Sequence, residues 1–318
     1  MPLSADTQKH DIQPLGVIMK MLREKPVLWF FVLTYALSWG AFGWGFVVVG
    51  EVGSISDLVN IPSRVTTKAL MPYIVAASFG PFAAALFMMA MGPNPREDVL
   101  RWLKGFIRFK VHPIVYILTL FVLPTSYFLI LTVLGVSPLP EHPASLVYVT
   151  LLVMPSVNGI ATAFMGAGPI GEEPGWRGYA LPRLLKRSGD IQASLLLGVF
   201  WALWHLPIML GVPEWRGGLD VAFFLPSYLV GVLSLAYVLT KIWRWSHGSI
   251  ILAIWFHGLV NFTVNYPVDN RIWALDGFTD VQLNLITVGG MVLTALIFAL
   301  VSLTSFARKR ANFQYELS

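Results

Sequence analysis

The stretch Gly171-Glu172-Glu173-Pro174-Gly175-Trp176-Arg177-Gly178-Tyr179 decides how the chain is read, because it sets two adjacent carboxylates at the end of the charge-free run 142–171. A charged side chain held at membrane depth costs about 2.5–3.5 kcal/mol even on the mildest insertion scales, so one that is kept there is a functional-site candidate by default. Helical spacing separates the pair. Glu173 and Arg177 stand i, i+4 on one face, while Glu172 points about 100° away, towards the side of Trp176. Glu173 is therefore expected to be paired and supportive, and Glu172 to stay free for chemistry.

Working outward from this stretch, the 318 residues are 56% hydrophobic and 12% charged, against about 25% charged in an ordinary soluble domain. Eight windows without Asp, Glu, Lys or Arg (26–50, 69–95, 111–140, 142–171, 191–213, 221–240, 245–268 and 281–307) are each long enough for a helical span of about 20 residues. None alternates in the manner of outer-membrane strands, which leaves helices as the spanning structure. The expected architecture is an all-α polytopic membrane protein. It forms a single domain over 1–318, with a cytoplasmic arm at 1–25 and eight transmembrane helices.

Basic residues set the orientation. With the N-terminus inside, 18 of the 22 Lys and Arg fall in inside segments, and only Arg64, Lys68, Arg216 and Arg271 fall outside. Both termini are thus expected on the cytoplasmic side of a cell membrane. The formal charge of +5 follows from this topology and argues for no nucleic-acid partner. The absence of cysteine excludes disulfides, thiol catalysis and thioether anchors. Gly80-Pro81 predicts a kink in the second span. Asn94-Pro95-Arg96-Glu97-Asp98 starts a short amphipathic helix with Arg101, Lys104, Arg108 and Lys110, expected to lie on the inner surface. The fourth segment, 146–187, is too long for one straight crossing, so its Pro and Gly residues must bend or break it.

Four polar groups inside the spans reach similar depth. Glu172 lies 17 residues before Gly189 and His205 lies 16 after it, so two antiparallel helices bring them level. His257 and Asn261 share a helical face at overlapping depth. A carboxylate beside an imidazole can deprotonate a water molecule, and a second imidazole and an amide can donate to a developing oxyanion. A divalent metal such as zinc could also be held by Glu172, His205 and His257 as an open three-ligand site. Taken singly, each feature has a plainer reading: a surface ion pair for Glu173 and Arg177, hydrogen-bonded packing for either histidine, and interhelical adhesion for Asn261.

In combination, Glu172-Glu173-x-x-x-Arg177, an aromatic four residues before His205, and His257-x-x-x-Asn261 resemble the three ordered motifs of the CPBP intramembrane protease family. That family includes the Ras-converting CAAX endopeptidase and bacterial bacteriocin-processing or immunity proteins. The resemblance covers residues 166–267. It departs at Trp201, where the family usually has Phe, and at Pro174-Gly175, which interrupts a smooth helix. It implies a bundle around an intramembrane cavity open to the cytosol and to lipid, with Glu172 activating water and His205 as its partner. His257 and Asn261 would stabilise the oxyanion, and Glu173 and Arg177 would orient the site. The implied partner is a peptide or protein substrate at the membrane, including a lipidated C-terminal tail. Two other functions fit the residues: a non-proteolytic binding or immunity protein of the same family, and a proton-coupled transporter, for which inverted repeats are the expected sign and none is seen.

Overall fold

The computed structural model describes residues 14–50, 66–136, 153–165, 168–269, 275, 277–304 and 306–307. Every regular element among them is helical. In chain order these are α1 (Pro14–Glu24), α2 (Pro26–Gly50), α3 (Thr67–Ser78), α4 (Gly80–Ala90), α5 (Pro95–Phe106), α6 (Pro113–Val133), α7 (Met154–Met165) and α8 (Gly168–Gly175). After α8 a π-helical turn (Trp176–Ala180) runs into α9 (Leu181–Leu185). Then come α10 (Asp190–Trp204), α11 (Leu206–Gly211), a 3₁₀ turn (Pro213–Arg216), α12 (Val221–Trp245), α13 (Ile250–Asp269) and α14 (Asp280–Ser302).

Five helical stretches are long and apolar enough to cross a membrane: Pro26–Gly50, Thr67–Ala90, Pro113–Val133, Val221–Trp245 and Asp280–Ser302. They coincide with five of the eight charge-free windows. The fifth and seventh windows, 191–213 and 245–268, hold shorter apolar helices, Asp190–Trp204 and Ile250–Thr263. The remaining window, 142–171, lies partly outside the described residues, as do the loop charges Asp57, Arg64, Glu141 and Arg271, the arm before Pro14 and the basic cluster Arg308-Lys309-Arg310.

The predicted kink at Gly80-Pro81 has a structural counterpart, and a further break at Pro207 divides the fifth window, which was expected to be one continuous span. The Gly80-Pro81 pair ends α3 at Phe79, and α4 resumes with Pro81 in its first turn, where a missing N–H does no harm. Pro207 lacks the N–H that would bond the Leu203 carbonyl, so α10 stops at His205 and α11 restarts with Pro207 in its first turn, where the missing N–H does no harm. α5 forms where the Asn-Pro start places it. Trp102 faces inward, whereas Leu100, Leu103 and Ile107 are exposed beside Lys104, a pattern suited to the boundary between headgroups and acyl chains.

The segments that carry most of the described basic residues meet one another. Arg23 donates to the carbonyls of Met91 and Gly92. Arg183 reaches Asp98, Lys241 and Arg244 both pair with Asp190, and Arg108 donates to the His247 carbonyl. The core between them is aromatic: Trp176, Trp204, Trp243, Trp245, Tyr179 and Phe30 are fully buried, and Phe31 stacks on Phe200 at 3.9 Å.

Candidate active site

The helix bearing the two glutamates is built to be enclosed. A Cβ on Gly171 would strike the Ser78 backbone, and one on Gly175 would strike that of Pro81. The small pair at i, i+4 thus lets α8 lie directly against the α3–α4 kink, the close approach that drives helix association in membranes. The structure carries the helix through Pro174 and widens it immediately afterwards, over Trp176–Ala180, where the Leu181 N–H reaches the Trp176 carbonyl. Such π turns recur at functional sites. The Trp102 indole of α5 donates to the Pro174 carbonyl at 2.9 Å, tying the surface helix to the widened turn.

Glu173 and Arg177 make the expected ion pair, Nη1 to Oε1 at 2.8 Å, with both side chains at 0% exposure. The same Oε1 accepts from His257 Nδ1 at 2.8 Å. Glu173 therefore has a second partner that helical spacing could not reveal. His257 is held in place by tight packing of α13 on α7, since a Cβ on Gly258 would meet the Gly159 carbonyl and one on Gly159 would meet the Leu259 backbone. Trp255 reinforces this contact by donating to the Ser156 carbonyl at 2.8 Å.

Glu172 is also buried, at 3% exposure, and has a different environment. Its Oε2 accepts from Trp201 Nε1 at 2.7 Å. Its Oε1 lies 3.4 Å, and Asn261 Nδ2 lies 3.7 Å, from the point where a Cβ on Gly168 would sit, so both side chains border the same bare stretch of backbone. Glu172 also lies within the electrostatic field of His257, Glu173 and Arg177.

His205 Nδ1 contacts the Trp201 carbonyl at 2.9 Å. A carbonyl can only accept, so Nδ1 carries the proton and Nε2 keeps its lone pair. The ring is boxed by Trp204 at 4.6 Å, Trp215 at 5.5 Å and Tyr228 at 5.9 Å. The break at Pro207 is what turns this histidine out of the regular helix.

Trp201 is the residue that composition and spacing undervalued. Its indole N–H holds Glu172, its carbonyl fixes His205, its face lies under the Arg177 guanidinium at 4.4 Å, and its edge meets His257 at 5.1 Å. The sequence marks it as an aromatic four residues before His205. A phenylalanine would satisfy that pattern without supplying the hydrogen bond.

The structure thus brings Glu172, Glu173, Arg177, His205 and His257 around one indole, with Asn261 at Gly168. It does not assemble the three-ligand set of Glu172, His205 and His257. Among the described residues no group of three or more His, Cys, Asp or Glu side chains is arranged to hold a metal ion.

An all-helical, membrane-embedded chain that buries acid, imidazole and guanidinium groups around a common point belongs to the class of proteins with an intramembrane polar site. Residues 144–263 match the family described as Type II CAAX prenyl endopeptidase Rce1-like. CAAX prenyl protease 2 of Methanococcus maripaludis is 35% identical over 92 residues, which is 28% of this chain and 34% of that protein. The match therefore spans about a third of the relative's length. These matches fall on the segment that carries the three motifs, which is thus similar to type II CAAX prenyl endopeptidases.

Proposed function

We propose that the chain is an intramembrane endopeptidase that hydrolyses a peptide bond in a protein or peptide substrate at the membrane, such as a lipidated C-terminal tail. The observation that carries this reading is the contrast within the buried pair: Glu173 is bound by Arg177 and His257, while Glu172 is held on one oxygen by Trp201 and has the other beside the bare backbone of Gly168, which Asn261 also borders. In the proposed reaction the Glu172 carboxylate, joined to His205 through Trp201, takes a proton from water as the water oxygen attacks the scissile carbonyl carbon. Asn261 stabilises the negative oxygen of the tetrahedral intermediate through its amide N–H, and His257, whose Nδ1–H is held by Glu173, adds to this when its Nε2 also carries a proton. When the C–N bond breaks, the proton held by Glu172 passes to the leaving amine. Glu173 and Arg177 orient His257, as an outer partner fixes the tautomer and direction of a working imidazole. No step requires a metal.

The proposed frame is a single domain of eight crossings around the site, with residues 166–267 as the catalytic core and both termini on the cytoplasmic side of a cell membrane. The basic segments that meet through Arg23, Asp98, Arg183, Asp190 and Arg244 support a common inner end. Single cysteines placed at Leu100, Asp220 or Ser318 in this cysteine-free chain test it: membrane-impermeant labelling from the cytoplasmic side should reach 100 and 318 and miss 220. Labelling of 318 from the outside only would overturn the eight-span frame.

Activity is tested by comparing the proteomes of membranes that contain the wild-type protein or Glu172→Gln at equal abundance. The expected result is at least one cleavage product that depends on the carboxylate. A cell with no such product, and with a phenotype that Glu172→Gln still supplies, would move the protein to the binding or immunity role.

A further inference from the structure

A polar cleft lies away from the glutamates. It is a cleft of about 230 Å³ between the end of α1, the turn after α4 and the end of α9. Four cations line it, Arg23, Arg183, Lys186 and Arg187, against the single carboxylate Asp98. These charges are built in from three separate segments. Arg23 is steered by the Met91 and Gly92 carbonyls at 3.0 and 3.3 Å. Arg183 is fixed by the Tyr179 carbonyl at 3.0 Å, by Asp98 at 3.4 Å and by lying 3.7 Å over the Tyr179 ring. Lys186 and Arg187 stand exposed at the rim. The floor is apolar, with Val27 and Met88 among its residues, and the neighbouring Met21 and Leu28 present apolar surface to the outside.

We infer that this cleft binds the headgroup phosphate of an anionic phospholipid. A cationic rim over an apolar floor, at the end of the bundle where basic segments gather, matches an amphiphile whose charge and hydrocarbon arrive together, and basic pockets between membrane helices on the cytoplasmic side take such headgroups. Guanidinium groups suit phosphate oxygens because they present paired N–H donors in a fixed plane. Lys186 reports the same excess of positive charge: partial burial, followed by the nearby Arg183, holds its ammonium below the usual lysine range, with Arg101 adding to the effect and Asp98 opposing it. A bound phosphate would relieve that repulsion. The cleft also touches the widened turn of the Glu helix through Tyr179, whose ring packs on Phe30 at 5.1 Å, which in turn meets Trp176 at 5.5 Å. Occupancy would therefore stabilise the turn that carries Arg177. This inference stands apart from the proposed reaction.

The test is thermal unfolding of the full chain in neutral detergent at low salt, with phosphatidylglycerol, phosphatidylcholine or inorganic phosphate added at equal phosphate concentration. Phosphatidylglycerol should raise Tm by about 2–4 °C, the scale expected for a ligand present well above its Kd, and the other two should not. The double variant Lys186→Gln/Arg187→Gln, at exposed positions that leave the starting Tm unchanged, should lose the shift, and so should Arg23→Gln. Lys104→Gln/Lys110→Gln, which removes two exposed charges outside the cleft, should retain it. An equal shift from inorganic phosphate would assign the cleft to free phosphate. An undiminished shift in both cleft variants, or equal loss in the Lys104/Lys110 variant, would overturn the site.

Discussion

The molecule contains two kinds of ion-pair network, and their settings differ more than their chemistry. Where the basic segments meet, Asp190 joins Lys241 at 2.7 Å and Arg244 at 3.0 Å, with all three side chains between 12% and 19% exposed. In the core, Glu173 joins Arg177 and His257 at the same short distances with almost no exposure. Water assists the first network and is excluded from the second. A buried pair can cost more in desolvation than it returns, and an apolar replacement of similar shape is often no less stable. The core network is therefore poorly explained as a stabilising device, which fits the supporting role proposed for it beside Glu172.

Four substitutions would break or sharpen this contrast. The largest effect is expected from Glu172→Gln, which keeps the shape of the side chain and removes its ability to take a proton. With a substrate in hand, kcat should fall by on the order of 10⁴-fold, the upper range for loss of a general base, while Tm stays near the wild-type value. A fall of less than tenfold would remove Glu172 from the chemistry.

Next is Arg177→Ala, which strands the Glu173 charge in a site with no exposure. Breaking one side of a buried pair costs about 3–5 kcal/mol, so the yield of folded protein and Tm should both drop. A variant of normal Tm and no activity would instead make Arg177 a direct substrate contact.

A smaller effect is expected from Trp201→Phe, which places the residue usual in the resembled family and removes the indole N–H on Glu172 together with part of the ring that packs on Arg177 and His257. Hydrogen bonds to charged groups are worth about 1.5–3 kcal/mol, so kcat should fall about tenfold or more with KM unchanged if Trp201 positions the base. A change in KM alone, or in Tm alone, would make it a packing residue.

The smallest is Asp190→Asn. Partly exposed pairs contribute about 1 kcal/mol or less, and chemical denaturation should show no more than that, with activity intact. A loss as large as that of Arg177→Ala would erase the distinction between the two networks.

The fold was legible wherever a charge-free window was long and uninterrupted, as at Pro26–Gly50 or Asp280–Ser302, because hydrocarbon thickness leaves few alternatives to a helix. The break at Gly80-Pro81 was legible as a Gly-Pro kink, whereas the one at Pro207 was passed over inside an apolar window that reads as one span. The Glu173–Arg177 pair was legible because both ends lie on one helix. The link from His257 to Glu173 was not, since it joins residues 84 positions apart and depends on how α13 seats against α7 and α8. Nor was the role of Trp201, because helical periodicity reports which face an aromatic occupies and not which atom its N–H will meet. The depth argument put Glu172 level with His205. In the structure the contact between their helices is made one turn earlier, through the indole.

The widened turn at Trp176–Ala180 also sets a phase. An α-helix repeats every 3.6 residues, and a π turn accommodates roughly one residue more before the face repeats. Upstream of it, Glu172 and Glu173 look into the core. Downstream, Arg183 looks into the basic cleft. Removing one residue from the turn would rotate one half of the segment by about 100° against the other, so the glutamates and Arg183 could no longer both face their partners. The turn acts as a spacer between two registers of a single helix, and the chain should tolerate a conservative change of side chain there far better than a change of length.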